Sequence, residues 1–295
     1  MLNLSRLKKQ FDGVLAVDEV SFRVEQGDVY GFLGPNGAGK TTTIRMIMGI
    51  IQQDSGSIEL NEQDINQLGR NKLGYLPEDR GLYQKQRLEE TIVYFGILRG
   101  LNRIEAKSNA SMWLERFDLA DRANRKVEEL SKGNQQKIQF ILSLIHDPKL
   151  LILDEPFSGL DPLNQLLLKE IIQEKREAGT TILFSTHQME QVERLCTNIC
   201  LINEGKIIIE GSLNTIRESY KSNAVEVKYS GDLNQEKAES FFSEVEVTDL
   251  MISGVLKEKP SDFLDWINAE VVVESFRVKT PSLEQIFIQE VEKAS

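Results

Sequence analysis

At 295 residues the chain has room for one to three domains, and its 40% hydrophobic and 27% charged content is that of an ordinary globular protein. No run approaches the roughly 20 apolar residues needed to cross a bilayer and no signal-peptide pattern opens the chain, so a cytoplasmic protein that meets a membrane only through a partner is expected. The net charge of -11 argues against broad nucleic-acid binding, and most of it lies at one end, with 15 acids against 7 bases between Ala224 and Ser295.

The first 220 residues read as alternating strands and helices. "AVDEVSFRVE" and "GDVYGFLG" have strand patterns, and "KTTTIRMIMGII" has that of a helix. Residues 83 to 130 carry no strand signal but space apolar residues as a helix does, which predicts a helical insertion. "LLILDE" follows, four aliphatic residues and two acids, reading as a strand buried on both faces of a parallel sheet. A helix near Leu163 to Ala178, the strand "TTILFST" and a hairpin in "NICLINEGKIIIEG" that turns at Glu204-Gly205 complete this part. Beyond "RESYKSNA", β-rich runs ("VEVKY", "EVVVESFRV") alternate with amphipathic helices ("LNQEKAESFF", "PSDFLDWINA", "PSLEQIFIQEVEK"). This change places a domain border near residue 220, with a small α+β domain after it.

Two motifs carry chemistry. "GPNGAGKT", from Gly34 to Thr41, fits the phosphate-binding loop G-x-x-x-x-G-K-[ST] at every fixed position, and it follows an apolar strand and opens a helix, as that loop requires. Its backbone N–H groups can wrap phosphate oxygens, Lys40 can reach the β- and γ-phosphates, and the Thr41 hydroxyl can ligate Mg²⁺. Packing alone gives no reason for two adjacent acids at the end of "LLILDE". In a phosphate-loop protein the first, Asp154, helps hold Mg²⁺, and the second, Glu155, is free to orient and deprotonate a water.

No N-K-x-D guanine-reading motif occurs. "LSKGNQQK" (130 to 137), "SGLD" (158 to 161) and "STH" (185 to 187) stand in that order around the acids. Together with the loop, they make residues 1 to about 220 resemble the nucleotide-binding subunit of an ATP-binding cassette (ABC) transporter. The resemblance implies an α/β phosphate-loop NTPase fold: a mixed sheet core, an antiparallel β subdomain and a helical subdomain at about 83–135. A C-terminal α+β domain would occupy 221–295. It implies ATP held by Phe11, stacked on adenine, and by Gly34, Pro35, Asn36, Gly37, Ala38, Gly39, Lys40, Thr41 and Thr42. Ser131, Lys132, Gly133 and Asp161 would act across a dimer interface. Mg²⁺ would be held by Thr41, Glu78 and Asp154, and hydrolysis would fall to Glu155 with His187 as the switch histidine.

Two positions depart from the family's commonest pattern. The signature L-S-G-G-Q is here Leu130-Ser131-Lys132-Gly133-Asn134, which adds a cation that could grip the partner's γ-phosphate or point to solvent. Glu78, in "GYLPEDRGLY", stands where the family has a glutamine, so the site should depend more strongly on its metal.

The chain has one loop and one signature, so the resemblance implies a head-to-tail homodimer around two ATP molecules and a separate permease. The expected docking surface is "GLYQKQRLEETIVYFGILRGL", with Tyr83, Leu88, Tyr94 and Phe95. The tail "TPSLEQIF" resembles the accessory region of ATPases serving two-component exporters, including the sodium-export (NatA-type) group, which points to export from the cytoplasmic face of the membrane. The alternative, a soluble ABC ATPase acting on ribosomes or DNA, fits poorly with a single uninterrupted cassette and an acidic tail. Cys196, Cys200 and His146 read as packing residues.

Overall fold

The computed structural model of the chain describes residues 1–78, 81–220, 223–248, 250–279 and 281–294. Asp79 and Arg80 of "GYLPEDRGLY", Lys221 and Ser222 at the expected domain border, and Thr280 of "TPSLEQIF" lie outside the described residues. By compactness the chain divides into two units, one of residues 1–213 and one of 214–293, with the last two residues assigned to the first.

The first unit opens with strands β1 (Leu2–Phe11), β2 (Val14–Val24) and β3 (Val29–Leu33), then helix α1 (Lys40–Ile47) and strands β4 (Ser55–Leu60), β5 (Gln63–Asp64) and β6 (Leu73–Leu76). Helices α2 (Leu88–Leu98), α3 (Arg103–Arg116) and α4 (Lys132–Leu144) precede β7 (Leu150–Asp154), α5 (Pro162–Glu177), β8 (Thr181–Ser185) and α6 (Met189–Leu195), and the hairpin β9 (Asn198–Asn203) and β10 (Lys206–Ser212) follows. A mixed six-stranded sheet has the order β10-β9-β3-β8-β7-β6. Its inner strands are parallel and only β10 runs against its neighbour. A second, antiparallel sheet has the order β2-β1-β4-β5.

Burial explains the sequence texture. Every residue of β3, β7 and β8 is buried, which is why each reads as an unbroken apolar run. β2 alternates instead, with Val20, Phe22 and Val24 turned into a core shared with β3 and α1. The β9–β10 turn lies where expected, and both of its residues are left-handed, Glu204 at φ 46° and Gly205 at φ 77°, as the tightest hairpins demand.

Helix ends follow local chemistry. Asn102 and Glu105 form a capping box on α3, Ser131 caps α4 by accepting from Asn134 N, and Asp161 caps α5, whose first residue is Pro162. Two of the residues marked for function thus already have a structural task. α1 is shorter than "KTTTIRMIMGII" predicts, because the chain turns left-handed at Gly49 (φ 63°).

The second unit contains α7 (Leu213–Ser219, which straddles the division), β11 (Ala224–Ser230), α8 (Gln235–Ser240), β12 (Phe242–Thr248), β13 (Met251–Leu256), α9 (Pro260–Glu270), β14 (Val272–Val278) and α10 (Leu283–Ala294). Its antiparallel sheet has the order β12-β13-β11-β14. Two β-α-β passes interleaved in this way make the split βαβ, ferredoxin-like arrangement. The core joins Val225, Val227 and Tyr229 of β11 to Phe242, Ile252, Phe263 and Ile267. The sequence reading missed β12 and β13, although Val245 and Val247 alternate with the exposed Glu244 and Glu246.

Candidate functional site

The loop from Gly34 to Gly39 leaves the buried end of β3 and enters α1. Its shape depends on glycine. Gly39 has φ 104°, and a Cβ there would lie 2.5 Å from the carbonyl oxygen of Ala16, so no other residue fits without moving β2. Lys40 folds its ammonium back over the loop, donating to the carbonyls of Gly34 (2.7 Å) and Pro35 (2.9 Å). Burial lowers the Lys40 pKa, while Asp154, Glu155 and Glu78 oppose that shift.

These groups share one cavity. Asn36, Gly37, Gly39, Lys40, Thr41 and Thr42 line it from the loop and α1, Glu78 from the segment after β6, Asp154 and Glu155 from the end of β7, His187 from the end of β8, and Ala16 from β2. Of the loop residues marked in the sequence, Pro35 and the buried Gly34 and Ala38 shape it without lining it. Phe11, at the end of β1, does not line it either; it is 43% exposed with the Lys9 ammonium 5.3 Å from its ring.

The two acids differ sharply. Asp154 is 3% exposed, and its Oδ2 meets no hydrogen-bond partner. Burial pushes its pKa up to about 6; the Ser185 hydroxyl opposes the shift, and the charges of Glu78 and Glu155 add to it. Glu155 is held at every polar atom. Its backbone N–H continues the parallel ladder by donating to Ser185 O, Oε2 accepts from the Thr186 hydroxyl (3.0 Å), and Oε1 accepts from the His187 backbone N–H (2.8 Å) and imidazole Nδ1 (2.7 Å). A carboxylate oxygen only accepts, so Nδ1 carries the proton and Nε2 is left for another partner. Glu155 does this at φ 50°, a left-handed conformation costly for a residue with a Cβ. Gln136 of α4 braces the same turn by donating to Pro156 O (3.3 Å). Thr186, Ser185 and Gln136 are not among the residues expected from sequence, although "STH" carries the signal for the first two.

The signature residues lie elsewhere. Ser131, Lys132, Gly133 and Asp161 do not line the cavity. Ser131 and Lys132 are exposed at the start of α4, and Gly133 presses on the "SGLD" turn, where a Cβ would come within 3.1 Å of Gly159 O. The Asp161 pKa is lowered by the hydrogen bond it accepts from the Asn164 backbone.

The region after Glu78 needs one correction. Tyr83 and Tyr94 are exposed and meet edge to face at 6.3 Å, with Phe95 half-buried beside them, but Leu88 is fully buried. It opens α2 and faces the core, so it is not part of the expected docking surface. The packing residues behave as expected: Cys196 and Cys200 are buried and free, and His146 Nε2 donates to Leu73 O at 3.0 Å. Burial lowers the His146 pKa to about 4.

A family model described as ABC transporter matches residues 17–158, and one described as ATP-binding protein DrrA1-3-like, C-terminal domain, matches 211–291. The chain is 42% identical to the uncharacterized ABC transporter ATP-binding protein YhaQ of Bacillus subtilis, over 99% of this chain and 98% of that one. It is 38% identical to the ABC transporter ATP-binding protein NatA of Bacillus subtilis, over 75% of this chain and 94% of that protein. A solved ATP binding subunit of an ABC transporter superposes with a TM-score of 0.71 at 31% identity, covering 75% of this chain and 93% of that one. Together with the phosphate loop and the two acids beneath it, these likenesses show that the chain belongs to the ATP-binding proteins of ABC transporters and is an ATPase.

Proposed function

We propose that this chain works as a head-to-tail homodimer in which the cavity of one copy and the signature turn of the other enclose each ATP, and that hydrolysis drives export through a separate permease. One observation carries the reading. The loop, the acids and His187 share a single cavity, while Ser131, Lys132 and Gly133, which also have polar groups to offer a nucleotide, stand outside it at an exposed helix start.

In this reading the backbone N–H groups from Gly34 to Thr42 cradle the phosphates, Lys40 exchanges loop carbonyls for phosphate oxygens, and Phe11 stacks on the base. Glu155 takes the proton from the attacking water, its carboxylate held in place by Thr186 and His187. His187 Nε2 faces the γ-phosphate. Ser131 and Gly133 of the second copy close the far side, with Lys132 adding a cation and Asp161 bordering the interface.

The donor set fits Mg²⁺. Asp154 presents a buried oxygen with no other partner, and Glu78 and Thr41 line the same cavity. Among the described residues no group of three His, Cys, Asp or Glu side chains could hold a metal by itself, as suits an ion that shares its coordination with phosphate and water. When bound, Mg²⁺ neutralises charge on the phosphate oxygens.

Residues 1–220 are assigned as the nucleotide-binding domain, with its helical subdomain at about 83–135, and 221–295 as an accessory α+β domain. No helix among the described residues is long and apolar enough to cross a membrane. The proposed place is the cytoplasmic face of the membrane, reached through the permease and with no nucleic-acid partner. Tyr83, Tyr94 and Phe95 form the docking surface. The direction, export, is supported by 38% identity to the Nod factor export ATP-binding protein I of Burkholderia thailandensis, over 74% of this chain and 73% of that protein.

The test is the mass of the Glu155→Gln protein by light scattering, with and without saturating ATP and Mg²⁺. A shift from one copy to two is expected. A protein that stays single, with its permease also supplied, overturns the dimer.

A further inference from the structure

The acids at 154 and 155 meet residues 185 to 187 one by one. β7 and β8 are parallel neighbours in which Asp154 pairs with Ser185, and Glu155 N donates to Ser185 O, so the two chains leave the sheet side by side. Three consecutive side chains then face two consecutive carboxylates. Ser185 lies beside Asp154, Thr186 bonds one oxygen of Glu155, and His187 bonds the other.

Thr186 is 1% exposed and does not line the cavity. Its Oγ1 accepts from Gln188 N at 3.1 Å while donating to Glu155 Oε2 at 3.0 Å. The backbone N–H occupies an acceptor site of the hydroxyl and turns its proton toward the carboxylate. Glu155 hangs from a left-handed backbone, and His187 has a 72% exposed side chain. The buried Thr186 hydroxyl is therefore the side-chain donor to Glu155 that ligand movement disturbs least.

We infer that Thr186 is a positioning residue for ATP hydrolysis, fixing the second oxygen of Glu155 so that the first water to approach finds the carboxylate already aimed. This rests on Glu155 acting as the base. Without the hydroxyl, the carboxylate is held through Oε1 alone and Oε2 is free to swing, and a misplacement of the order of 1 Å costs up to about 100-fold in rate.

The experiment compares steady-state ATP hydrolysis by the full chain with its Thr186→Val and Thr186→Ser variants. Valine keeps the shape and removes the hydroxyl; serine keeps the hydroxyl. The valine protein should lose about 10- to 100-fold in kcat with KM for ATP unchanged, and the serine protein should stay within about twofold of the parent. Thr186→Ala serves the same purpose if the valine protein does not fold. Adding Thr186→Val to Glu155→Gln should cost nothing further, because the hydroxyl acts only through the carboxylate. A valine protein with parental kcat, a serine protein as slow as the valine one, or additive losses in the double variant each overturn the inference. Glu155→Gln turning over at the parental rate would instead remove the base reading beneath it.

Discussion

In the proposed dimer the end of β7 and the signature turn of α4 carry the two halves of one chemistry, yet the fold finishes them to different degrees. Glu155 has its carboxylate, its backbone N–H and the carbonyl of the following residue all bonded within the chain. Ser131 makes a single cap to Asn134, and Lys132 extends from the first turn of α4 with no acid in that turn to answer it. A cation beside the positive end of a helix has no stabilising role of its own. Polar groups are costly to leave unpaired where they are buried and cheap to leave open where water reaches them. The proposed base can therefore be prepared in advance, and the exposed signature can keep its donors for the proposed second copy.

The largest test of this contrast removes the proposed base. Glu155→Gln should lower turnover by about 10²- to 10⁴-fold while ATP affinity, measured by titration without turnover, stays near the parental value.

Asp154→Asn probes a buried carboxylate whose Oδ2 meets no hydrogen-bond partner. Its folded-state pKa of about 6 stands above the ordinary 3.8, so between these values the native state keeps a proton that the unfolded chain has released. Stability therefore falls as pH rises through that window, by about 3 kcal/mol in all. Asparagine does not ionise, so the variant should be the more stable protein at pH 7 without metal, by denaturant unfolding, and near parity below pH 4. It should also be inactive.

At the open end, Ser131→Ala should reduce turnover by roughly 10- to 100-fold, the scale of one lost donor to a reacting oxyanion, without weakening ATP binding by the single chain. A fall in binding by the monomer would erase the distinction between the two regions. Lys132→Ala should change turnover or apparent ATP affinity by about tenfold or less, within the range of a charge-assisted hydrogen bond. The smallest effect is expected at Glu78. Its charge adds to the burden on Asp154, so Glu78→Gln should keep ATP binding and shift the Mg²⁺ concentration for half-maximal activity a few-fold, read from a metal titration.

Much of this was legible before the fold was known. "GPNGAGKT" announces its task because a phosphate loop is built from its own backbone, and β7 announces its burial because a strand covered on both faces is apolar throughout. The N-caps Ser131 and Asp161 obey local rules too, although the sequence analysis gives both residues only an interface role. Leu88 was misassigned because a helix shows its apolar residues to the sequence reader without saying which side the core lies on. β12 is half-buried at Val245 and Val247 rather than fully covered, and β13 alternates only weakly, so neither gives the unbroken apolar run that marks β7.

By itself, then, the sequence determined the phosphate loop, the buried strands β3, β7 and β8, and the pair of acids that ends β7, since each is written in residues a few positions apart. The tertiary structure alone decided that Thr186, 31 positions beyond Glu155, would donate to it. It also decided that Gln136 would brace its turn, that Asp154 would lose its solvent, and that four strands near the C-terminus would interleave. The reason is range. Capping, turns and periodicity act over a few bonds, whereas desolvation and strand register depend on which distant segments the fold brings alongside.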